Sequence, residues 1–341
     1  FIMFTGYNLK LNECFFDDKA LDFDGYKEIG EKHLNDQIYK YKKDLKQYVN
    51  NGIINGSELQ NDIFPNIDAN IFISHSRKDK DLANALAGWI NKEFRLKIFI
   101  DSNVWGYSQE LLEDINSVYS NKRENDNGGY TYNHQDCNNA SQHVNMMLSV
   151  ALQKMIDTVE CVILLNTDNA ISTFDEQNKK MNTTYSPWIY SEIVCTQIVR
   201  KKPLLYYREY NELFYAQESA VSKYELSALK ASYIISLQHL TDLNKEDLKT
   251  WYSSYTNNQY REFDKYPLDA LYSFKHPNEL ERAKEASHYL SCEKLNLLKT
   301  IVDGRYESSS IVELFEHETY EQCEHSCDIC RGRKCKYQCE E

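Results

Sequence analysis

Three short runs without a polar side chain most constrain what this chain can become: Ile71-Phe72-Ile73, Ile98-Phe99-Ile100 and Cys161-Val162-Ile163-Leu164-Leu165. A strand with one wet face alternates apolar and polar residues. A run that is apolar at every position needs cover on both faces, which is the mark of a parallel sheet sandwiched by helices. Between the first two runs, Leu82, Leu86, Trp89, Ile90 and Phe94 recur at helical spacing. Strand, helix and strand joined by short links make a right-handed parallel crossover. Two more runs, Pro203-Leu204-Leu205-Tyr206-Tyr207 and Tyr233-Ile234-Ile235-Ser236-Leu237, supply an expected fourth and fifth strand. The fold class predicted is α/β, a doubly wound five-stranded parallel sheet. Ligands bind such sheets outside the carboxyl ends of the strands. The loop Ser74-His75-Ser76-Arg77-Lys78-Asp79, together with Asp101 and the loop 102–106 that holds Trp105, falls at that edge.

Around this centre the pattern changes. Residues 26–49 read as one amphipathic helix, with Leu34, Ile38, Tyr41, Leu45 and Tyr48 on a stripe. That stripe needs a partner surface, either the body of the chain or a second protomer. Gly52, Gly56 and Pro65 mark turns before the first apolar run. A short helix is expected over 111–119, an Asn- and Gly-rich inserted loop over 121–139, and a helix over 144–156, which His143 opens. A polar linker fills 166–185, and 240–272 reads as broken helix. Residues 278–302 form a helix stopped by Asp303-Gly304. The division that follows is a helical N-terminal extension (1–66), an α/β domain (67–275, with the insertion at about 120–141) and a helical C-terminal extension with a Cys-rich tail (276–341).

Composition narrows the partners. A net charge of −13 argues against nucleic acid or an anionic membrane, since phosphate-rich partners need a basic surface. The sequence has no apolar run long enough to cross a membrane and no secretory signal at its start, so a cytoplasmic protein is expected. With 11 Gly there is neither GxGxxG nor GxxxxGK[ST], so phosphates would be held by helix N-termini and side chains. Five of the ten cysteines crowd the tail: Cys323, Cys327, Cys330, Cys335 and Cys339, with His325 among them. Reduced thiols are the first reading of this cluster, with zinc-type ligands and then disulfides as the alternatives.

Ser186-Pro187-Trp188-Ile189-Tyr190-Ser191-Glu192 carries the chemistry. Ser186 can cap a helix and Pro187 suits its first position. Trp188 and Glu192 then share a face with Cys195 and Val199, which leaves one carboxylate on an apolar stripe. Desolvation there raises a carboxyl pKa and makes Glu192 a candidate site residue, the alternative being a solvated Glu near a helix start. Ser74, His75 and Ser76 do not make a Ser–His hydrolase. Neighbouring strand residues face opposite ways, and no GxSxG elbow is present.

The order of these pieces resembles a Toll/interleukin-1 receptor (TIR) domain of the bacterial type. The matching residues are Ile71-Phe72-Ile73-Ser74-His75-Ser76 with Lys78-Asp79, then Ile98-Phe99-Ile100-Asp101 with its Gly-containing loop, 151–165, and Ser186-Pro187-Trp188 with Glu192. The likeness spans about residues 67–272 and leaves out the N-terminal helix, the Asn-rich insertion and the tail. It implies a flavodoxin-like fold and cleavage of the nicotinamide–ribose bond of NAD+ in antiviral defence, with no cofactor required. Trp188 and Glu192 fit WxxxE, whose Glu is the catalytic carboxylate of TIR enzymes. Ser74, His75, Ser76 and Arg77 then line the substrate side, joined by Asp101, Trp105 and Trp188. Trp105, His75 and Trp188 also have packing roles open to them. The resemblance further implies homo-oligomers through TIR surfaces and an effector responding to the product. The alternatives are a non-catalytic module acting by assembly and an enzyme acting on another N-glycoside.

Overall fold

The computed structural model of the chain describes residues 5–17, 21–37, 45–51, 53–64, 66–100, 102–124, 129–176, 179–202, 204, 207, 232–256 and 266–289. At 34–37, 102–107, 174–176, 179–180 and 285–289 it describes the backbone alone. The chain divides into two compact units. The larger takes Thr5–Arg200 and Glu212–Leu271, the smaller Phe1–Phe4, Lys201–Asn211 and Tyr272–Glu341.

The first elements are β1 (Thr5–Lys10), α1 (Phe23–Gln37) and α2 (Gly56–Ile63). Then come β2 (Ile71–Ser74), α3 (Lys80–Phe94), β3 (Ile98–Ile100), α4 (Ser102–Tyr119) and α5 (His134–Thr158). β4 (Cys161–Leu165) leads into the hairpin of β5 (Ser172–Glu176) and β6 (Lys179–Thr184), and α6 (Pro187–Ile198) follows. The described chain resumes with β7 (Tyr233–Ile235), β8 (Thr241–Asn244), α7 (Lys245–Thr256), α8 (Pro267–Lys275) and α9 (Pro277–Tyr289).

Five strands form one all-parallel sheet in the order β8-β1-β4-β2-β3. β2, β3 and β4 are the three apolar runs, buried at every position. The other two members differ from expectation. β1 lies between β4 and β8, although Thr5-Gly6-Tyr7-Asn8-Leu9-Lys10 has no continuous apolar run. Its polar Asn8 is satisfied by neighbours on both sides, so the position tolerates an amide. The expected fourth strand is corrected at its described residues: Leu204 and Tyr207 are helical. The expected fifth becomes β7, which pairs antiparallel with β6 in a separate three-stranded sheet, and its Ile234 is exposed. The place at the sheet edge goes to β8 instead.

Helices fall into two groups. α1 packs on α3, and Trp251 of α7 stacks on Phe94 of α3 with ring centroids 4.0 Å apart. α2, α4 and α6 pack on α5. α3 steps from β2 to β3 and the α4–α5 pair steps back to β4, so right-handed crossovers put the two groups on opposite faces. The inner stripe of α3 is buried as expected, and so are Asn84 and Gly88 on its far side, where Tyr26 and Gly30 of α1 lie. The partner of the N-terminal amphipathic helix is thus the body of the chain. Of the expected helix the described residues show α1 up to Gln37 and, at Leu45–Tyr48, a single tight turn in place of α-helix, while residues 38–44 lie outside the described set.

Two boundaries also move. Helix α4 begins at Ser102, so the segment expected as a loop after β3 is helical. α5 starts at His134, inside the expected insertion, because the Asn133 side chain accepts from the N–H groups of Gln135 and Asp136. What remains between the helices is a hairpin pairing Arg123-Glu124 with Tyr130-Thr131. His143 therefore sits inside α5 and is exposed.

Candidate functional site

Helix α6 is fixed at its start. Ser186 Oγ accepts from the N–H of Ile189, as expected of a cap, and Pro187 follows at the first position. Thr184 extends the anchor, accepting from the N–H of Ser186 and donating to the Ala170 carbonyl at 2.8 Å. Ile189 and Ile193 pack with Leu164, Ala170, Ile171, Ile235 and Leu240, which glues the helix to β4 and the small sheet. At the far end Arg200 pairs with Asp157 of α5 at 2.5 Å.

This scaffold buries Glu192, which is 2% exposed. Ser74, the last residue of β2, donates its hydroxyl to Glu192 Oε2 at 2.6 Å. A contact this short, between a strand end and a helix, fixes the rotamer of the carboxyl group. The carboxylate is thus held at the carboxyl end of β2, opposite Leu164 of β4 in the ladder. β2 and β4 are neighbours from which the chain leaves in opposite directions, to β3 on one side and toward β8 on the other. Ligands of open α/β sheets bind at such a divergence. The burial also acts on Cys195, whose thiol is pushed up to about 11 by desolvation, with the Asp157 and Glu192 charges adding to it.

The other expected residues are distributed. His75 is 1% exposed beside Ser74. Ser76 caps the turn Arg77–Asp79, accepting from the N–H of Lys78, and Arg77 is exposed. Trp188 is half-buried. Asp101 and the side chain of Trp105 lie outside the described residues, as do the tail cysteines 323, 327, 330, 335 and 339. Among the described residues no group of three or more His, Cys, Asp or Glu could hold a metal ion.

A second feature was missed in the sequence. A cleft of about 1600 Å3 opens over the carboxyl ends of β1, β4 and β8. Arg77 lines it, whereas Glu192, Ser74 and His75 do not. Its wall toward β2 is a half-buried bridge: Asp79 accepts from Thr167 Oγ1 at 2.5 Å and from Asn169 Nδ2 at 2.7 Å. This ties the loop after β2 to the loop after β4. Asp79 stands at the cap position of α3 but makes no cap bond, since its carboxylate is used across the gap. The available signal was the polar cluster Asn166-Thr167-Asp168-Asn169 directly after a buried strand.

No family model, curated protein or solved structure matches this chain. The chemistry of the site rests on its own geometry.

Proposed function

We propose that the chain is a TIR-like enzyme that cleaves the nicotinamide–ribose bond of NAD+, as glycohydrolase or cyclase. The observation that supports this reading best is the buried Glu192, held by Ser74 where β2 and β4 diverge. Cleavage breaks the C1′–N bond with both electrons going to the pyridinium nitrogen. Neutral nicotinamide leaves, and the ribose becomes oxocarbenium-like. A fixed carboxylate stabilises that charge far better in a desolvated site than in water. Water, or a nucleophile within the same molecule, then bonds to C1′ and gives up its proton. Ser74 acts as a positioning residue that fixes the rotamer of the carboxylate. Glu192 does not line the open cleft, so catalysis in this reading includes an opening that admits ribose to it.

The test is nicotinamide release from NAD+ by the purified full chain beside Glu192→Gln. Loss of a transition-state stabiliser costs about 10²–10³ in kcat. Release by the parent with a fall of that size in the variant supports the reading, and equal release by both overturns it.

One observation favours the alternative, a module acting by assembly. Ile198 is 76% exposed and Ile234 64%, and Tyr185 and Tyr190 are also exposed on the same helix and small sheet. A second copy covering these side chains would bury apolar surface, and then Glu192 would serve as a buried clamp between α6 and β2. Concentration-dependent self-association without any release of nicotinamide is the result that reading expects.

A further inference from the structure

Apart from Arg77, the residues lining the cleft over β1, β4 and β8 have no role in the cleavage just described. We propose that it binds a small polyhydroxylated anion of the sugar-phosphate class. Its floor is a polar row crossing three adjacent strands. Asn8 of β1 is 5% exposed, donates from Nδ2 to Asp242 Oδ1 at 2.7 Å, and accepts from Asn166 Nδ2 at 2.8 Å. A buried amide in a central strand costs free energy unless it is bonded, and an apolar residue would serve the sheet better. Here the amide holds a carboxylate and a second amide in fixed positions at the lip of the cleft. Planar groups with two acceptors, or with a donor beside an acceptor, suit neighbouring hydroxyls of a sugar.

Charge supplies the second half of the argument. In a chain of net charge −13, Lys10, Lys78, Lys80 and Lys245 join Arg77 around this one cleft. Five carboxylates share the lining, and three are engaged: Asp79 by Thr167 and Asn169, Asp81 by Lys27 at 2.7 Å, and Asp242 by Asn8, which leaves Glu13 and Asp168. The five basic side chains outnumber these two remaining carboxylates and can meet an anion above a hydroxyl-binding floor. Among the described residues no aromatic ring lines the cleft, so nothing offers a nucleobase a stacking platform. The sugar phosphate is the recognised part, whether it arrives free or as the ribosyl phosphate end of a nucleotide.

Calorimetric titration of the full chain with ribose 5-phosphate, ribose, inorganic phosphate and AMP tests this. Ribose 5-phosphate should bind at least about tenfold tighter than ribose or phosphate, the factor that 1.4 kcal/mol of extra interaction gives. AMP should bind no tighter than ribose 5-phosphate. The exposed pair Lys78→Ala/Lys245→Ala should weaken ribose 5-phosphate about tenfold or more. Asp242→Asn should weaken it while leaving inorganic phosphate unchanged. Glu192→Gln should change nothing, which separates this site from the cleavage reading. The proposal is overturned by no heat from ribose 5-phosphate at millimolar concentration, by ribose binding equally well, or by AMP binding tenfold tighter. Undiminished binding in the lysine pair, with its melting temperature at the parent value, overturns it too, as does loss of binding in Glu192→Gln.

Discussion

A hydroxyl bonded to a buried carboxyl group contributes more than most single contacts, because removing it strands a polar group that water does not reach. Ser74→Ala should therefore destabilise the fold by about 1–3 kcal/mol, the range for a buried polar group left without its partner. Urea unfolding at pH 7.5 measures it, and a shift below about 0.5 kcal/mol, the level of an ordinary surface change, would contradict the bond's burial. Cys195 offers a pH test. Its folded pKa of about 11 lies above the ordinary thiol value of 9.0, so between those values the unfolded chain loses a proton that the native chain keeps. Stability from this group is complete below pH 9 and falls as pH rises toward 11. Cys195→Ala should lose urea resistance less steeply than the parent across that window. A residual slope should remain, since burial also pushes the Cys161 thiol and the Tyr26 phenol well up. Equal slopes would count against the burial of the thiol. At this scale Glu192 was legible because its cap and its tryptophan are local in sequence. The Asn166–Asn8–Asp242 row was not, because its members are 158 and 234 residues apart and meet only through strand pairing.

Strand β1 shows why an element hides in a sequence. Four of its six residues are polar or glycine, yet Tyr7 and Leu9 are fully buried and both edges are paired. The apolar-run signal that found β2, β3 and β4 fails where a strand carries its own polar network. In turn, the Tyr233–Ile235 run looked like core but has one face exposed in a small antiparallel sheet. A chain lacking the first ten residues should show no cooperative unfolding transition. Leu9→Ala in the full chain should cost about 2–5 kcal/mol by thermal or urea denaturation, as for a buried Leu. Intact cooperativity without β1 would contradict its place inside the sheet. The α1–α3 contact makes a second element-scale prediction. A Cβ on Gly88 would sit 1.8 Å from the Tyr26 carbonyl oxygen and 2.7 Å from the Gly30 nitrogen. Alanine is worth about 1 kcal/mol more than glycine in a helix, so Gly88→Ala would be mildly stabilising if α1 stood away. With the backbones this close it should instead destabilise by roughly 1–3 kcal/mol, and the sign alone decides.

Across the whole molecule, the α/β class and the covered parallel sheet followed from three apolar runs, while strand order depended on segments that those runs do not reach. The first segment inserts beside β4 and so brings Asn8 and Lys10 to the same rim as the loop after β2. One rim then carries two features: a buried carboxyl group clamped by a serine, and a wide polar cleft with no aromatic wall among the described residues. The central claim is that the buried carboxylate breaks an N-glycosidic bond. Mass spectrometry of NAD+ incubated with the full chain, and separately with Glu192→Gln, reads this most directly. The account predicts nicotinamide and an ADP-ribose-type product from the parent alone. Intact NAD+ in both incubations, or the same products from both, would contradict it.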